Sequence, residues 1–141
     1  MADNLTKEIR SYNMSRIRSK NSKPEVIVRK FLFSQGFRYR KNVDTLPGKP
    51  DIVLPKYKAC IFVNGCFWHK HDCSRFVWPS SHQDYWIPKI NANVERDKRI
   101  YNELCKNGWN VIIVWECETR KKLFETRMKK LIEQITDCSY E

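Results

Sequence analysis

The sequence predicts a single α/β domain, and two kinds of segment support that prediction. Residues 58–63 and 109–115 are short and almost continuously apolar, which is typical of strands at the centre of a covered sheet. Residues 91–107 and 121–136 repeat apolar side chains at helical spacing. Because helical and strand segments are interspersed along only 141 residues, we expect them to share one core.

The predicted order of elements is helix, three strands, helix, strand and helix. Ser22 and Glu25 have the spacing of a capping box, so a helix is expected from there to about residue 35, with Gly36 at its end. This box gives Glu25 a structural explanation before a functional one is needed. Strands are predicted at 37–41, 51–54 and 58–63, separated by turns. Residues 76–88 contain two prolines and are predicted to form a loop, although they are unusually aromatic.

Residues 1–21 are predicted to be a basic N-terminal arm, and residues 22–141 a single folded domain. The first segment is poor in apolar side chains and carries five lysines and arginines. Two interpretations remain open: a solvated tail, or an arm that becomes ordered on a nucleic-acid backbone.

The charge of the chain favours nucleic acid as the partner. There are 27 lysines and arginines against 16 acidic residues, a net charge of +11, and each neutralised phosphate releases counterions. A membrane partner is not expected, because the basic residues are dispersed and no apolar run reaches transmembrane length. Residues 1–20 lack the apolar centre of a signal peptide, so we expect a cytoplasmic protein with reduced thiols.

A short loop after the first buried strand has the ligands of a metal site. Cys66, His71 and Cys73 have C-x4-H-x-C spacing, and Cys117 ends the second buried strand, which could bring it alongside. Four such ligands describe a closed, structural zinc site. The alternative is that Cys117 is a buried free thiol and His71 a surface residue. The other cysteines are expected only to pack in the core: Cys60, Cys105 and Cys138.

Asp51 and His69 are candidates for phosphodiester hydrolysis. Asp51 opens a strand after a Pro-Gly turn, the layout of the Pro-Asp…(Asp/Glu)-x-Lys nucleases, in which the aspartate holds magnesium. The expected second half is missing, since residues 61–64 read Ile-Phe-Val-Asn. His69 could instead supply the base, with Asp51 and a main-chain carbonyl such as that of Val63 as metal ligands. Alternatively, Asp51 is only a turn residue and His69 a zinc ligand.

Five uncommon motifs follow one another along the chain: PGKPD at 47–51, FVNGCFWH at 62–69, H-x-C at 71–73, NVERD at 93–97 and VWEC at 114–117. Together they resemble the very short patch repair endonucleases over residues 15–117 or so. The resemblance implies a restriction-endonuclease-like core, in which helices flank a mixed central sheet, with an added zinc site. It also implies a bacterial enzyme that nicks DNA on the 5′ side of the thymine in a T·G mismatch. Such mismatches arise when 5-methylcytosine is deaminated.

The resemblance assigns catalytic and metal-binding roles to individual residues. Asp51 and the main-chain carbonyl of Val63 would hold magnesium, and His69 would be the general base. Glu25 would orient the water molecule, and Asp97 would support His69. The structural zinc ligands would be Cys66, His71, Cys73 and Cys117.

The resemblance also implies a set of residues that enter the DNA. Phe67, Trp68 and Trp86 would wedge beside the mismatch, and Met14 on the N-terminal arm would approach from the minor groove. Unstacking costs less at a mismatch, so the wedge itself can contribute to selectivity.

Position 64 departs from the family pattern. Many members have histidine before Gly-Cys-Phe-Trp-His, whereas this chain has Asn64. Asparagine can hydrogen-bond a water molecule but cannot carry a proton, so we expect activity with an altered rate or pH dependence.

Two functions from different classes remain. The first is a magnesium-dependent, mismatch-nicking endonuclease that acts as a monomer on an asymmetric substrate, with repair-protein partners by analogy. The second is a non-catalytic, zinc-stabilised DNA-binding module in which Asp51 and His69 are structural.

Overall fold

The computed structural model of the protein describes residues 22–74 and 76–137. The elements in this part of the chain follow the predicted order of helix, three strands, helix, strand and helix. They are α1 (Lys23–Ser34), β1 (Arg40–Lys41), β2 (Ile52–Leu54), β3 (Ala59–Asn64), α2 (Gln83–Lys106), β4 (Asn110–Trp115) and α3 (Lys121–Asp137). Met14, Cys138 and the predicted N-terminal arm lie outside the described residues. Within the described ranges, none of the helices has the length and apolar character needed to cross a membrane.

The strands form one mixed sheet in the order β1-β2-β3-β4. β2 pairs with both β1 and β3 in antiparallel fashion, whereas β3 and β4 are parallel. In the parallel pair, Asn64 lies opposite Trp115. The carboxyl ends of β3 and β4 therefore meet at one edge of the sheet, and the residues that follow each strand are neighbours.

Both faces of the sheet are covered. One face packs Ile52, Ile61 and Val114 against apolar side chains of α1 and α3. The other face packs Cys60 and Phe62 against Leu104 of α2. This arrangement explains why β3 is almost continuously apolar, since its side chains enter a core on either side.

The helix α2 begins earlier than predicted. Pro88 lies inside it, so the predicted loop at residues 76–88 is wrong for its last six residues. Proline removes one hydrogen bond within the helix. Burial of Trp86 and Ile90, which flank Pro88, offsets that loss and keeps the chain helical.

Three other predictions are corrected. Ser22 makes no side-chain hydrogen bond at the start of α1, so it does not act as the cap of the predicted capping box, and Glu25 is buried and pairs with Arg29. Of the strand predicted at 37–41, only the last two residues, Arg40 and Lys41, are in a strand. Cys105 is exposed because it lies beside, and not on, the buried face of α2, whereas Cys60 is buried as expected.

Candidate active site

A cleft of about 710 Å³ opens beside the carboxyl end of β3. Its walls come from the start of α1, the turn before β2, the end of β3 and the middle of α2. The predicted magnesium ligand Val63 lines this cleft. So do all of the predicted catalytic residues: Glu25, Asp51, Asn64, His69 and Asp97.

The turn before β2 requires glycine at one position. Gly48 has a φ of +75°, and a Cβ there would lie 2.5 Å from Cγ2 of Ile100 on α2. A side chain would therefore be strained and would push the turn away from the helix. This close approach places Asp51, three residues later, on the same cleft as the residues of α2.

Asp51 is held by the strand beside it. The main-chain amide of Val63 donates a hydrogen bond of 2.7 Å to Oδ2 of Asp51. Burial raises the pKa of Asp51 to about 6; the Val63 hydrogen bond opposes this rise and the nearby charge of Glu25 adds to it. His69 and Arg29 act in the opposite direction. Two carboxyl groups thus share a poorly solvated site, which favours a bound cation.

Glu25 enters the cleft from the first turn of α1. Only 3% of its surface is exposed, and its carboxylate pairs with the guanidinium of Arg29 one turn later. A buried carboxylate is costly unless a positive group accompanies it, and Arg29 supplies that group. Arg29 was missed in the sequence, although its i+4 spacing from Glu25 is a helical ion-pair signal.

His69 and Asp97 form a hydrogen-bonded pair. Nδ1 of His69 lies 2.5 Å from Oδ2 of Asp97, and a tight turn supports the histidine through its main-chain amide and the carbonyl of Gly65. A carboxylate at Nδ1 fixes the proton on that nitrogen and leaves Nε2 as the proton acceptor. The pair therefore has the arrangement of an oriented general base.

Asn64 is buried and fixed by a residue that the sequence reasoning missed. Its Nδ2 donates a hydrogen bond of 2.8 Å to the hydroxyl of Tyr101. Asn93, also missed, donates from Nδ2 to the main-chain carbonyl of Trp68 over 3.1 Å. Asn93 and Tyr101 each lie four positions from Asp97 on α2, so i±4 spacing around the predicted acid could have indicated them.

The four predicted zinc ligands come together. The ligand atoms of Cys66, His71, Cys73 and Cys117 all lie within 4.8 Å of one another. Nδ1 of His71 is 3.5 Å from the sulfurs of both Cys66 and Cys117. The His71 ring also stacks on Trp115, with ring centres 4.0 Å apart. This cluster could hold a metal ion, and three thiols with one imidazole suit a soft, tetrahedral metal.

Glu116 connects the cluster of Cys66, His71, Cys73 and Cys117 to the cleft. Its Oε1 accepts a hydrogen bond of 3.2 Å from the amide of Cys66, and its side chain lines the cleft. Burial raises the pKa of the Cys66 thiol to about 12, so the cysteine favours its neutral form until a cation compensates.

The three aromatic residues predicted to enter DNA form one cluster. Phe67 lies with its ring centre 5.3 Å from that of Trp86, and Trp68 lies 5.7 Å from Trp86. Phe67 and Trp68 are half-buried, whereas Trp86 is only 8% exposed and supports both.

Comparison with known proteins agrees with this geometry. Residues 2–75 match the family model described as DNA mismatch endonuclease Vsr. The chain is 51% identical to the type II nicking enzyme V.NmeAIP of Neisseria meningitidis, over 98% of this chain and 99% of that protein. It is 45% identical to the type II nicking enzyme V.XorIIP of Xanthomonas oryzae, over 94% and 98%.

A third relative is the DNA mismatch endonuclease Vsr of Escherichia coli, which is 40% identical over 95% of this chain and 87% of that protein. With matches of this extent, the chain belongs to the DNA mismatch endonuclease Vsr family.

Proposed function

We propose that this protein is a magnesium-dependent endonuclease that nicks double-stranded DNA on the 5′ side of the thymine in T·G mismatches. Such nicks would initiate very short patch repair after deamination of 5-methylcytosine. The observation that carries the proposal is the placement of the His69–Asp97 pair and Asp51 on one cleft. The names of the Escherichia coli mismatch endonuclease and the two nicking enzymes support the coarser part of the proposal, an endonuclease that nicks DNA and acts at mismatches.

The protein's own residues would divide the reaction as follows. Asp97 holds the proton on Nδ1 of His69, so that Nε2 removes a proton from the attacking water. Glu25, buried beside Asp51, helps to orient that water. The cleft walls hold the scissile phosphate in line with the water, which lowers the entropic part of the barrier.

Magnesium would be held by Asp51 and the main-chain carbonyl of Val63. When bound, it offsets charge on the phosphate during attack. The fit is supported by the raised pKa of Asp51, because burial and the nearby Glu25 carboxylate both disfavour its bare negative charge. Oxygen ligands of this kind suit a hard divalent cation.

Zinc would be held by Cys66, His71, Cys73 and Cys117, and its role would be structural. These ligands join the loop after β3 to the end of β4. Because His69 lies between two of them in sequence, fixing the loop also fixes the base.

A restriction-endonuclease-like core is supported by the mixed sheet with helices on both faces.

Duplex DNA would bind along the cleft side of the molecule. Phe67 and Trp68, supported by Trp86, would wedge beside the mismatch, and Met14 would approach from the minor groove. The net charge of +11 favours the DNA backbone, and a monomer fits the asymmetric substrate. A cytoplasmic location in bacteria and contacts with other repair proteins are part of the same proposal.

The test is a nicking assay on end-labelled duplexes that differ only in a T·G or C·G pair, with magnesium or with EDTA. We expect magnesium-dependent nicking of the T·G duplex alone. Asp51→Ala and His69→Ala should abolish nicking while keeping DNA binding, and Asp44→Ala is a matched control because Asp44 is exposed in the loop before the Pro-Gly turn. Binding without nicking in every methylation-site context would instead favour the non-catalytic DNA-binding module.

A further inference from the structure

Asn64 has a partner that distinguishes it from a histidine at the same position. It is 6% exposed at the end of β3, lines the cleft, and donates from Nδ2 to the hydroxyl of Tyr101 over 2.8 Å. Tyr101 is itself held by its ring, whose centre lies 5.1 Å from that of Phe62. Both members of the hydrogen bond are therefore fixed by the core.

The hydrogen bond decides which end of the amide faces the cleft. A primary amide carries a donor on one branch and an acceptor on the other, so an unrestrained asparagine can present either. Because Nδ2 is engaged by Tyr101, Oδ1 is the polar atom that Asn64 offers on its other branch. Asn64, Asp51 and His69 line the same cleft, so this acceptor belongs to the wall that also carries the predicted magnesium ligand and the predicted base.

Tyr101 also lies close to the predicted base. It follows Asp97 by one helical turn, and the charges of Asp97 and Asp51 both act on its hydroxyl. Burial is the main reason that the pKa of Tyr101 is raised, and the two acids add to this effect while the Asn64 hydrogen bond opposes it. The hydroxyl therefore stays neutral across the working pH range and can act as a fixed hydrogen-bond partner.

We propose that Tyr101 is a positioning residue that acts through Asn64, holding its amide so that Oδ1 accepts a hydrogen bond from the water deprotonated by His69. This inference rests on the proposed nuclease activity. Asn64 and Tyr101 together would then orient the water. The pair explains how an uncharged residue at this position can take part in the reaction.

The experiment is a double-mutant cycle on the steady-state kinetics of nicking, using Tyr101→Phe, Asn64→Ala and the double variant. Tyr101→Phe removes only the hydroxyl and keeps the ring against Phe62. We expect kcat to fall about tenfold with KM unchanged, the size of one lost neutral hydrogen bond. In the Asn64→Ala background, Tyr101→Phe should have no further effect. Tyr57→Phe is the matched control, because Tyr57 packs on Phe37 at a ring distance of 5.5 Å and the same 59° angle.

A second readout does not depend on activity. It uses ¹⁵N–¹H spectra recorded with and without magnesium. In Tyr101→Phe, the side-chain amide signals of Asn64 should shift, and the amide protons should exchange with water faster. In Tyr57→Phe, these signals should remain unchanged.

Two results would overturn the inference alone. The first is that the parent protein is active and Tyr101→Phe lowers kcat by the same factor whether position 64 is Asn or Ala. That result would indicate a general structural role for Tyr101. The other is an unchanged kcat in Tyr101→Phe. If the parent protein nicks no duplex, the proposed function fails and this catalytic role fails with it, whereas the amide spectra still report whether the hydrogen bond exists.

Discussion

Single residues in the cleft show how the fold tolerates charge in a poorly solvated place. Glu25 is paired with Arg29, and His69 with Asp97, so each buried group has a partner of complementary character. Among the described residues, Asp51 receives its hydrogen bond from the main-chain amide of Val63, and burial together with the nearby Glu25 disfavours its negative charge. This imbalance is what a catalytic cation would correct.

The raised pKa of Asp51 makes stability depend on pH. Because the folded protein binds this proton more tightly than the unfolded chain, the contribution of Asp51 to stability falls as pH rises from about 4 to about 6. In magnesium-free buffer at pH 8, Asp51→Asn should therefore be more stable than the parent, by an amount on the order of 2–3 kcal/mol, since a tenfold change in proton affinity corresponds to about 1.4 kcal/mol.

Urea unfolding of both proteins at pH 4, 6 and 8 measures this difference, which should shrink towards pH 4. A difference that is constant across these pH values would show that Asp51 ionises normally.

The His69–Asp97 pair predicts a rate effect without a binding effect. Asp97→Asn keeps the shape of the side chain but removes the charge that fixes the histidine tautomer, so the nicking rate should fall by about 100-fold. Single-turnover assays with the enzyme in saturating excess over the DNA would measure it. Glu95→Gln is the control, because Glu95 is an exposed acid on the same helix. A loss of less than threefold would mean that Asp97 does not orient the base.

At the scale of elements, one loop carries three tasks because of where β3 ends. Residues 65–73 contain three of the candidate metal ligands, the proposed base and two aromatic side chains, and β4 brings Cys117 and Glu116 beside them. Another set of contacts braces that end of β4: Arg127 of α3 binds Glu118, the carbonyl of Ile113 and Gln134. The position of the loop thus depends on three elements distant in sequence.

Loss of one metal ligand should therefore affect both stability and catalysis. We expect Cys117→Ser to lose bound zinc and to unfold at a lower urea concentration, with a free energy of unfolding reduced by roughly 3 kcal/mol. We also expect it to nick DNA slowly, because the loop that holds His69 is no longer fixed. Metal analysis, urea unfolding and the nicking assay measure the three effects. Cys105→Ser should change none of them, since Cys105 is exposed. Full zinc content in Cys117→Ser would exclude it as a ligand.

At the scale of the whole molecule, net charge and the cleft together predict how binding responds to salt. Lys49, Lys89 and Arg96 line the cleft and can neutralise phosphates. If Lys49 contacts one phosphate, Lys49→Ala should make the slope of log affinity against log salt shallower by about 0.9, equally for T·G and C·G duplexes.

Fluorescence anisotropy at several salt concentrations measures that slope. Lys129→Ala on α3 is the comparison, because Lys129 is exposed and no residue of α3 is among those that line the cleft. An unchanged slope in Lys49→Ala would show that this lysine contacts no phosphate.

The sequence by itself determined the order of elements, because buried strands and amphipathic helices have periodicities that do not depend on distant residues. It also indicated the Cys66–Cys73 loop, since three ligands close in sequence are necessarily close in space. Only the tertiary structure decided that Asn64 bonds Tyr101 and that Cys117 joins the cluster of Cys66, His71 and Cys73. Both contacts join residues 37 or more positions apart, and the register of β3 on β4 and the packing of α2 set them.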